Sequence, residues 1–399
     1  MKILFLSDVP MKDPSSGSER VLYEQAAGLC RRGFQVNAIT RNNGPSGFIF
    51  RDTGGVYEAC YNAPVESIIG FFSSLIKFPH RLYKKLSETE SFKLIISHQP
   101  FTCAALLLLG SIKKIPIVYI FHSPAHEEYL LLNQAEKRFL TLIQAQIRKY
   151  IESFCMKKAC KIVVLSCYMK KKAEIIHKIP ENIIAVNSGG VDLERFKLVL
   201  NQENLKRELN FPKGKVHLLT IRNLEPRMGL DNLLKAVSIL KNKIDVYLVI
   251  GGHGSQRKIL VNMIEELDLK NHVVMPGYIP SDLLPVYYGS SDFFILPTQN
   301  LEGFGLVTIE SMACGTPVLG TPVGGTKEIL SGFNTQFIFK DSSPNSMARG
   351  IEKNAEYYLK NKGAYDLLRR KCRKYVVDNY SWDQHVNCLS GIVNKYAKP

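Results

Sequence analysis

The side chains best placed to do chemistry lie in one run, Leu296-Pro297-Thr298-Gln299-Asn300-Leu301-Glu302-Gly303-Phe304-Gly305-Leu306-Val307-Thr308-Ile309-Glu310. An apolar strand enters a glycine-rich turn, and the turn opens a helix. Backbone amides from Gly303 to Leu306 then point outward from a helix N-terminus, a cradle for an anion or a polyhydroxyl group. Glu310 is the only charge between Leu306 and Ala313. A carboxylate in so apolar a helix needs partners. A vicinal diol such as the 2′,3′ pair of a ribose would supply two hydroxyl donors, and a basic residue across the core would serve equally. Glu302, in the loop, reads either as a ligand group or as a solvated acid.

The elements that must hold this run are those of an α/β protein. Short apolar stretches alternate with helical ones along all 399 residues, a length that suits two domains. Strands are expected at Ile3–Leu6, Gln35–Thr40, Leu94–Ser97, Ile117–Phe121, Ile162–Leu165 and Ile183–Val186. A second series is expected at Val216–Ile221, Val246–Ile250, Val273–Met275, Phe293–Leu296, Val318–Leu319 and Phe337–Phe339. The polar segment Glu194–Lys215 reads as a linker, dividing a first domain (1–197) from a second (198–380). Two Rossmann-like units in succession predict parallel sheets with ligands at the carboxyl ends of the strands, in a cleft.

At 45% hydrophobic and 22% charged residues the composition is globular. No stretch reaches the roughly 18 apolar residues of a membrane span, and the start meets Asp8 too early for a signal peptide's apolar core. The nine scattered cysteines contain no Cys-x-x-Cys, so reduced thiols and a cytoplasmic setting are expected. The formal charge of +16 favours anionic partners, although basicity alone can simply aid solubility.

Glu302-Gly303-Phe304-Gly305-Leu306 followed by Glu310 resembles the E-x7-E signature of glycosyltransferase family 4, retaining enzymes of the GT-B fold. Ala313-Cys314-Gly315-Thr316-Pro317-Val318, Gly324-Gly325 and Glu328 continue the likeness. The resemblance implies a GT-B architecture in which the helix after Trp382 (381–399) crosses back to the first domain. It implies that Glu302 meets donor-sugar hydroxyls, that Glu310 meets the ribose, and that the amides of Phe304, Gly305 and Leu306 face sugar and phosphate. Gly252, in Gly251-Gly252-His253-Gly254, resembles the turn near the nucleotide. Gly17, in Pro14-Ser15-Ser16-Gly17-Ser18, resembles the first-domain loop on the diphosphate, with Ser18 read as a helix cap. His122, in Phe121-His122-Ser123-Pro124, stands where a histidine lies beside the transferred sugar. His98 and His126 read as structural or acceptor-side groups.

A departing diphosphate carries about two negative charges that need compensation. The chain has no Asp-x-Asp, the simplest metal grip, so no metal or other cofactor is expected beyond the nucleotide-diphosphate sugar itself. Cations are available in Arg222-Asn223-Leu224-Glu225-Pro226-Arg227-Met228-Gly229. Arg222 matches the first basic residue of the family. Met228 stands in place of the second, a lysine, and a thioether cannot neutralise phosphate. Arg227 could substitute by swinging inward, since neighbours on a helix start point about 100° apart.

The implied partners are a nucleotide sugar and an acceptor, either a glycan or a lipid-linked sugar. Val65–Lys85 begins apolar and turns basic, so it reads either as a peripheral contact with an anionic membrane or as a core helix with a solvated lysine face. Competing functions are an epimerase or phosphorylase of the same fold, and a weakened nucleotide-sugar binding protein. No nucleic-acid signature exists beyond charge. No Gly-x-Gly-x-x-Gly follows the first strand, which disfavours a dehydrogenase.

Overall fold

The computed structural model describes residues 1–14, 16–43, 47–63, 68–133, 139–199 and 201–397. Two compact units emerge, Met1–Gly189 with Trp382–Pro399, and Gly190–Ser381. The division falls ahead of the expected one after residue 197, because residues 190–197 are tied to the second unit. Val191 bridges to Ser381, Arg195 donates to Ser281, and Arg373 donates to the carbonyls of Leu193 and Phe196. The expected linker is therefore built structure. It carries the helix Gln202–Glu208, whose Lys206 Nζ lies 3.0 Å from the buried Asp292 carboxylate.

The first unit contains, among the described residues, β1 (Lys2–Leu6), β2 (Gln35–Asn43), β3 (Gly47–Thr53), β4 (Val56–Ala63), β5 (Leu94–Ser97), β6 (Ile117–Phe121), β7 (Lys161–Val164) and β8 (Ile184–Val186). Their order is β3-β4-β2-β1-β5-β6-β7-β8, parallel throughout save the β3–β4 pair. The unpredicted hairpin β3–β4 turns at Gly54 and Gly55, both left-handed, which bends two strands back within two residues. Helix Trp382–Tyr396 joins this unit, adding Val386, Leu389 and Val393 to a core that includes Leu22 and Ala26 of helix Gly17–Arg31. Gly28 permits that approach, since a Cβ there would sit 2.6 Å from Val386.

Helix Ile68–Ser87 covers most of the stretch read as a membrane contact; residues 65–67 and the side chains of Ile68, Phe71 and Phe72 lie outside the described residues. Its described part turns inward. Leu75, Leu82 and Leu86 are buried, and Phe78 packs on Phe48 and Tyr61. Arg81 and Lys85 lie over Phe48 and Phe50 of β3. Among the described residues no helix is long and apolar enough to cross a membrane.

The second unit holds β9 (Val216–Ile221), β10 (Val246–Gly251), β11 (Val273–Gly277), β12 (Phe293–Leu296) and β13 (Val318–Gly320), all parallel, in the order β11-β10-β9-β12-β13. This is a doubly wound sheet whose strand order reverses between β9 and β12. The strand expected at Phe337–Phe339 is instead a 3-10 turn, Thr335–Phe337, and a lone bridge from Ile338 to Gly320.

Glu58 locks the hairpin to the first sheet. It accepts hydrogen bonds from Met11 N, Thr40 Oγ1, Thr53 Oγ1 and Arg51 Nε at 2.6–2.9 Å. Burial pushes its carboxyl pKa up, but Arg51, Thr40 and the Met11 amide together hold it below the usual value. Its contribution is therefore present at neutral pH and is lost as pH falls through the depressed folded value. Glu58→Gln is expected to cost about 3 kcal/mol at neutral pH, where it leaves Arg51 short of a partner. Urea melts should show that gap closing in acid; equal stability at neutral pH would remove this role.

Candidate active site

In the second unit the two loops singled out in the sequence follow β9 and β12, adjacent strands at the reversal point, where α/β sheets place their ligands. Arg222, one residue past β9, donates from Nη2 to Glu302 Oε2 at 2.5 Å and from Nη1 to Thr298 Oγ1 at 2.7 Å. Thr298 in turn donates to Glu302 at 3.1 Å. The side chains of Arg222 and Glu302 are only 6% and 13% exposed, so this is a nearly buried ion pair. Burial raises the Glu302 pKa, but Arg222, then Arg227 and Thr298, hold it below its ordinary value, and the carboxylate stays ionised.

Main-chain contacts, licensed by glycines, close these loops on each other. Gln299 N donates to Arg227 O, and a Cβ on left-handed Gly229 would meet Pro297 O at 2.1 Å. Gly252 occupies a second such point, where a Cβ would lie 1.8 Å from Arg222 O. The loop after β10 is thereby pressed against Arg222, with Arg222 N donating to Gly251 O and Leu224 N to His253 O. Gly252 thus positions the arginine.

Met228 is buried, so its side chain faces the core. Arg227 faces the other way: its Nη1 donates to Leu301 O at 2.7 Å, and its charge is felt at Glu302. Besides Arg222, Arg227 is the arginine whose charge lowers the Glu302 pKa.

The glycine-rich turn opens helix Leu306–Ala313, with Gly305 as a left-handed cap. Phe304 is buried against Tyr380 and anchors the turn. Gly325 N donates to Glu302 O, and a Cβ on Gly324 would meet that carbonyl at 2.0 Å. Leu306, Val307 and Glu310 share the half-exposed side of the helix, while Thr308, Ile309, Met312 and Ala313 are buried. Glu310 accepts from the buried Tyr288 hydroxyl at 3.0 Å; burial and the Glu310 charge keep that phenol protonated. Tyr288 and Thr298 carried no signal in the sequence beyond their residue type.

Gly17 and His122 belong to the first unit. Gly17 is the first residue of helix Gly17–Arg31, and the cap is Ser16 rather than Ser18. Ser16 Oγ accepts from Glu19 N, and the Glu19 carboxylate accepts from Ser16 N at 2.9 Å. Ser15 lies outside the described residues. Asp8, after β1, caps helix Pro100–Leu108 through the amides of Phe101 and Thr102, both at 2.8 Å, and so fixes the loop after β5. That loop carries His98, whose Nδ1 lies 3.0 Å from His122 Nε2 at the end of β6. Burial lowers the pKa of both imidazoles, that of His122 to about 4 with His385 assisting. Two neutral rings share the bond, one giving N–H and the other a lone pair. The pairing is invisible in the sequence, where the two histidines lie far apart.

Two family models match most of the sequence: "Glycosyltransferase Family 4" over residues 15–195 and "Glycosyl transferases group 1" over residues 201–379. The chain belongs to glycosyltransferase family 4. It is 28% identical to an uncharacterised glycosyltransferase of Methanocaldococcus jannaschii, in a match spanning 60% of each chain. It is 26% identical to a D-inositol 3-phosphate glycosyltransferase of Thermobispora bispora, over 80% of this chain and 77% of the relative. Among solved structures, a sucrose-phosphate synthase of Thermosynechococcus elongatus superposes with a TM-score of 0.82 at 20% identity, covering 99% of both chains. Anabaena HepE in complex with UDP-glucose gives 0.76 at 18% identity, covering 99% of this chain and 100% of its own. These likenesses assign the GT-B fold.

The histidines of this family 4 chain set an acid limit on its stability. His122 and His385 are each lowered to about 4, His385 by burial and against the pull of the Ser188 carbonyl. Their unfolded counterparts take up protons near 6.5, so the two histidines take stability away as pH drops from 6.5 to about 4, and their own effect levels off below. Each such histidine costs about 1.4 kcal/mol per pH unit crossed. Melting temperature against pH should show this slope, and His385→Gln should flatten it; a flat wild-type profile above pH 5 would contradict buried neutral histidines.

Proposed function

We propose that this chain transfers a sugar from a nucleotide-diphosphate sugar to a hydroxyl acceptor, with retention of configuration and without a metal. The observation that carries the reading is the Arg222–Glu302–Arg227 cluster at the reversal point of a doubly wound sheet, beside a helix N-terminus. Two guanidinium groups and one carboxylate leave one net positive charge there. Arg222 spends two nitrogens on Glu302 and Thr298, while a guanidinium carries five N–H donors, so some remain for phosphate oxygens. The amides opening helix Leu306–Ala313 add a partial positive charge. Fixed charges of this kind stabilise a leaving diphosphate without reorganisation.

In the proposed assignment Glu302 accepts hydrogen bonds from sugar hydroxyls and Glu310 from the ribose. Phe304, Gly305 and Leu306 present backbone amides, and Gly252 holds Arg222 in place. Gly17 keeps its expected role toward the diphosphate, and His122 acts in catalysis as a neutral imidazole. The bond from the anomeric carbon to the diphosphate oxygen breaks, and the acceptor oxygen attacks from the same face. The acceptor proton passes to the departing phosphate, so no protein nucleophile is required. An acceptor that is lipid-linked, and a peripheral setting at the cytoplasmic face of an anionic membrane, belong to the same proposal.

A screen of nucleotide sugars by thermal shift and by donor consumption, with and without EDTA, tests it. One donor should stabilise the protein and be consumed equally in EDTA. Arg222→Ala and Arg227→Ala should each lower turnover by about a hundredfold or more, whereas Met228→Lys should bring no gain, because residue 228 faces the core. Binding without consumption would favour a nucleotide-sugar binding protein, and an altered free nucleotide sugar an epimerase. If no nucleotide sugar binds, the reading fails.

A further inference from the structure

Helix Phe139–Lys158 is apolar on two opposite sides. One side, carrying Thr141, Ala145, Glu152 and Met156, is buried in the first unit. At about 100° a residue, Phe139, Ile143 and Tyr150 fall on the opposite side, with Leu140 and Ile147 beside them. Phe139 is 77% exposed, Leu140 65% and Tyr150 67%. A helix that serves only as a layer of an α/β unit keeps that side polar.

Every charge on this helix that is not buried is positive, namely Arg148, Lys149, Lys157 and Lys158. The helix ends in exposed Lys157 and Lys158. Its single acid, Glu152, is buried, accepts from Ala125 N and pairs with His177. The neighbouring helix Pro100–Leu108 ends in exposed Leu108 and Leu109, followed by exposed Lys113 and Lys114. The whole chain carries +16, so a second copy would bring like charge to the same face. An anionic bilayer offers both complements at once, acyl boundary for the aromatic and aliphatic side chains and lipid phosphates for the lysines.

We infer that the outer face of helix Phe139–Lys158 docks on an anionic lipid surface. The inference moves membrane contact away from Val65–Lys85, whose described apolar residues are mostly spent on the core, and it stands whether or not a sugar is transferred.

The test is flotation of the full chain, without nucleotide sugar, on phosphatidylcholine vesicles and on equal mixtures of phosphatidylcholine and phosphatidylglycerol. The wild type should float with the mixed vesicles alone, and less in high salt. Ile143→Ser with Tyr150→Ser should weaken binding about tenfold or more. Lys157→Glu with Lys158→Glu should weaken it similarly while leaving the stripe intact, which keeps the test open if the first pair melts early. Flotation of both variants equal to wild type, or no wild-type binding, overturns the inference. So does a wild-type dimer in light scattering that the Ile143 and Tyr150 variant dissolves, because a second copy would then cover the face. An unchanged thermal shift with a nucleotide sugar in these variants separates this outcome from failure of the transferase reading.

Discussion

The second unit is organised around a nearly buried ion pair, Arg222 with Glu302, bridged by Thr298. Neither charge could stay so buried without the other, since a lone buried charge costs several kcal/mol. Satisfying both requires the loops after two adjacent parallel strands to touch. Side chains would keep them apart, and the glycines at 229, 252 and 324 remove that obstacle where a Cβ would meet a carbonyl near 2 Å. The glycine pattern and the charge pair are therefore one constraint: close approach of main chain fixes the guanidinium, and the guanidinium justifies the buried acid.

The first unit solves the same geometric problem with different chemistry. Its sheet reverses between β1 and β5, and the loops there are joined by Asp8, which accepts amides of the helix after β5, and by Ser7 and Asp8 N, which both donate to Gln99 Oε1. Here a carboxylate meets backbone N–H groups at a helix N-terminus instead of a cation. In the first unit the loops at the reversal carry neutral imidazoles and capped amides, whereas in the second unit they carry fixed cations. A neutral His122 carries no charge of its own and can take part only as a hydrogen-bonding imidazole.

Most strands were legible because parallel strands buried on both faces read as continuous apolar runs, as at Leu94–Ser97 and Phe293–Leu296. The hairpin β3–β4 escaped because its strands carry Arg51, Asp52 and Glu58, charges that make sense only once paired across the ladder. The loop at Glu302 was readable from local order: strand, glycines, helix, acid. Its partners Thr298 and Tyr288, and the bond between His98 and His122, depend on contacts that spacing does not encode. The outer face of helix Phe139–Lys158 is likewise not legible from spacing, because an apolar residue facing solvent and one facing the core look alike until the burial side is known.

Charge at residues 222–228 follows from which side of a short turn faces inward. Pro226–Met228 is a single 3-10 turn closed by left-handed Gly229, and successive side chains on it diverge widely. The turn seats Met228 in the core and sends Arg227 to the carbonyl of Leu301. An ammonium at 228 would have to leave that seat to reach an anion, whereas the guanidinium at 227 already stands beside Glu302. Because Glu302 offsets one of the two arginines, the net charge of the cluster is that of the other. Losing either guanidinium removes it, and the helix amides at Leu306 are too weak a partial charge to replace it.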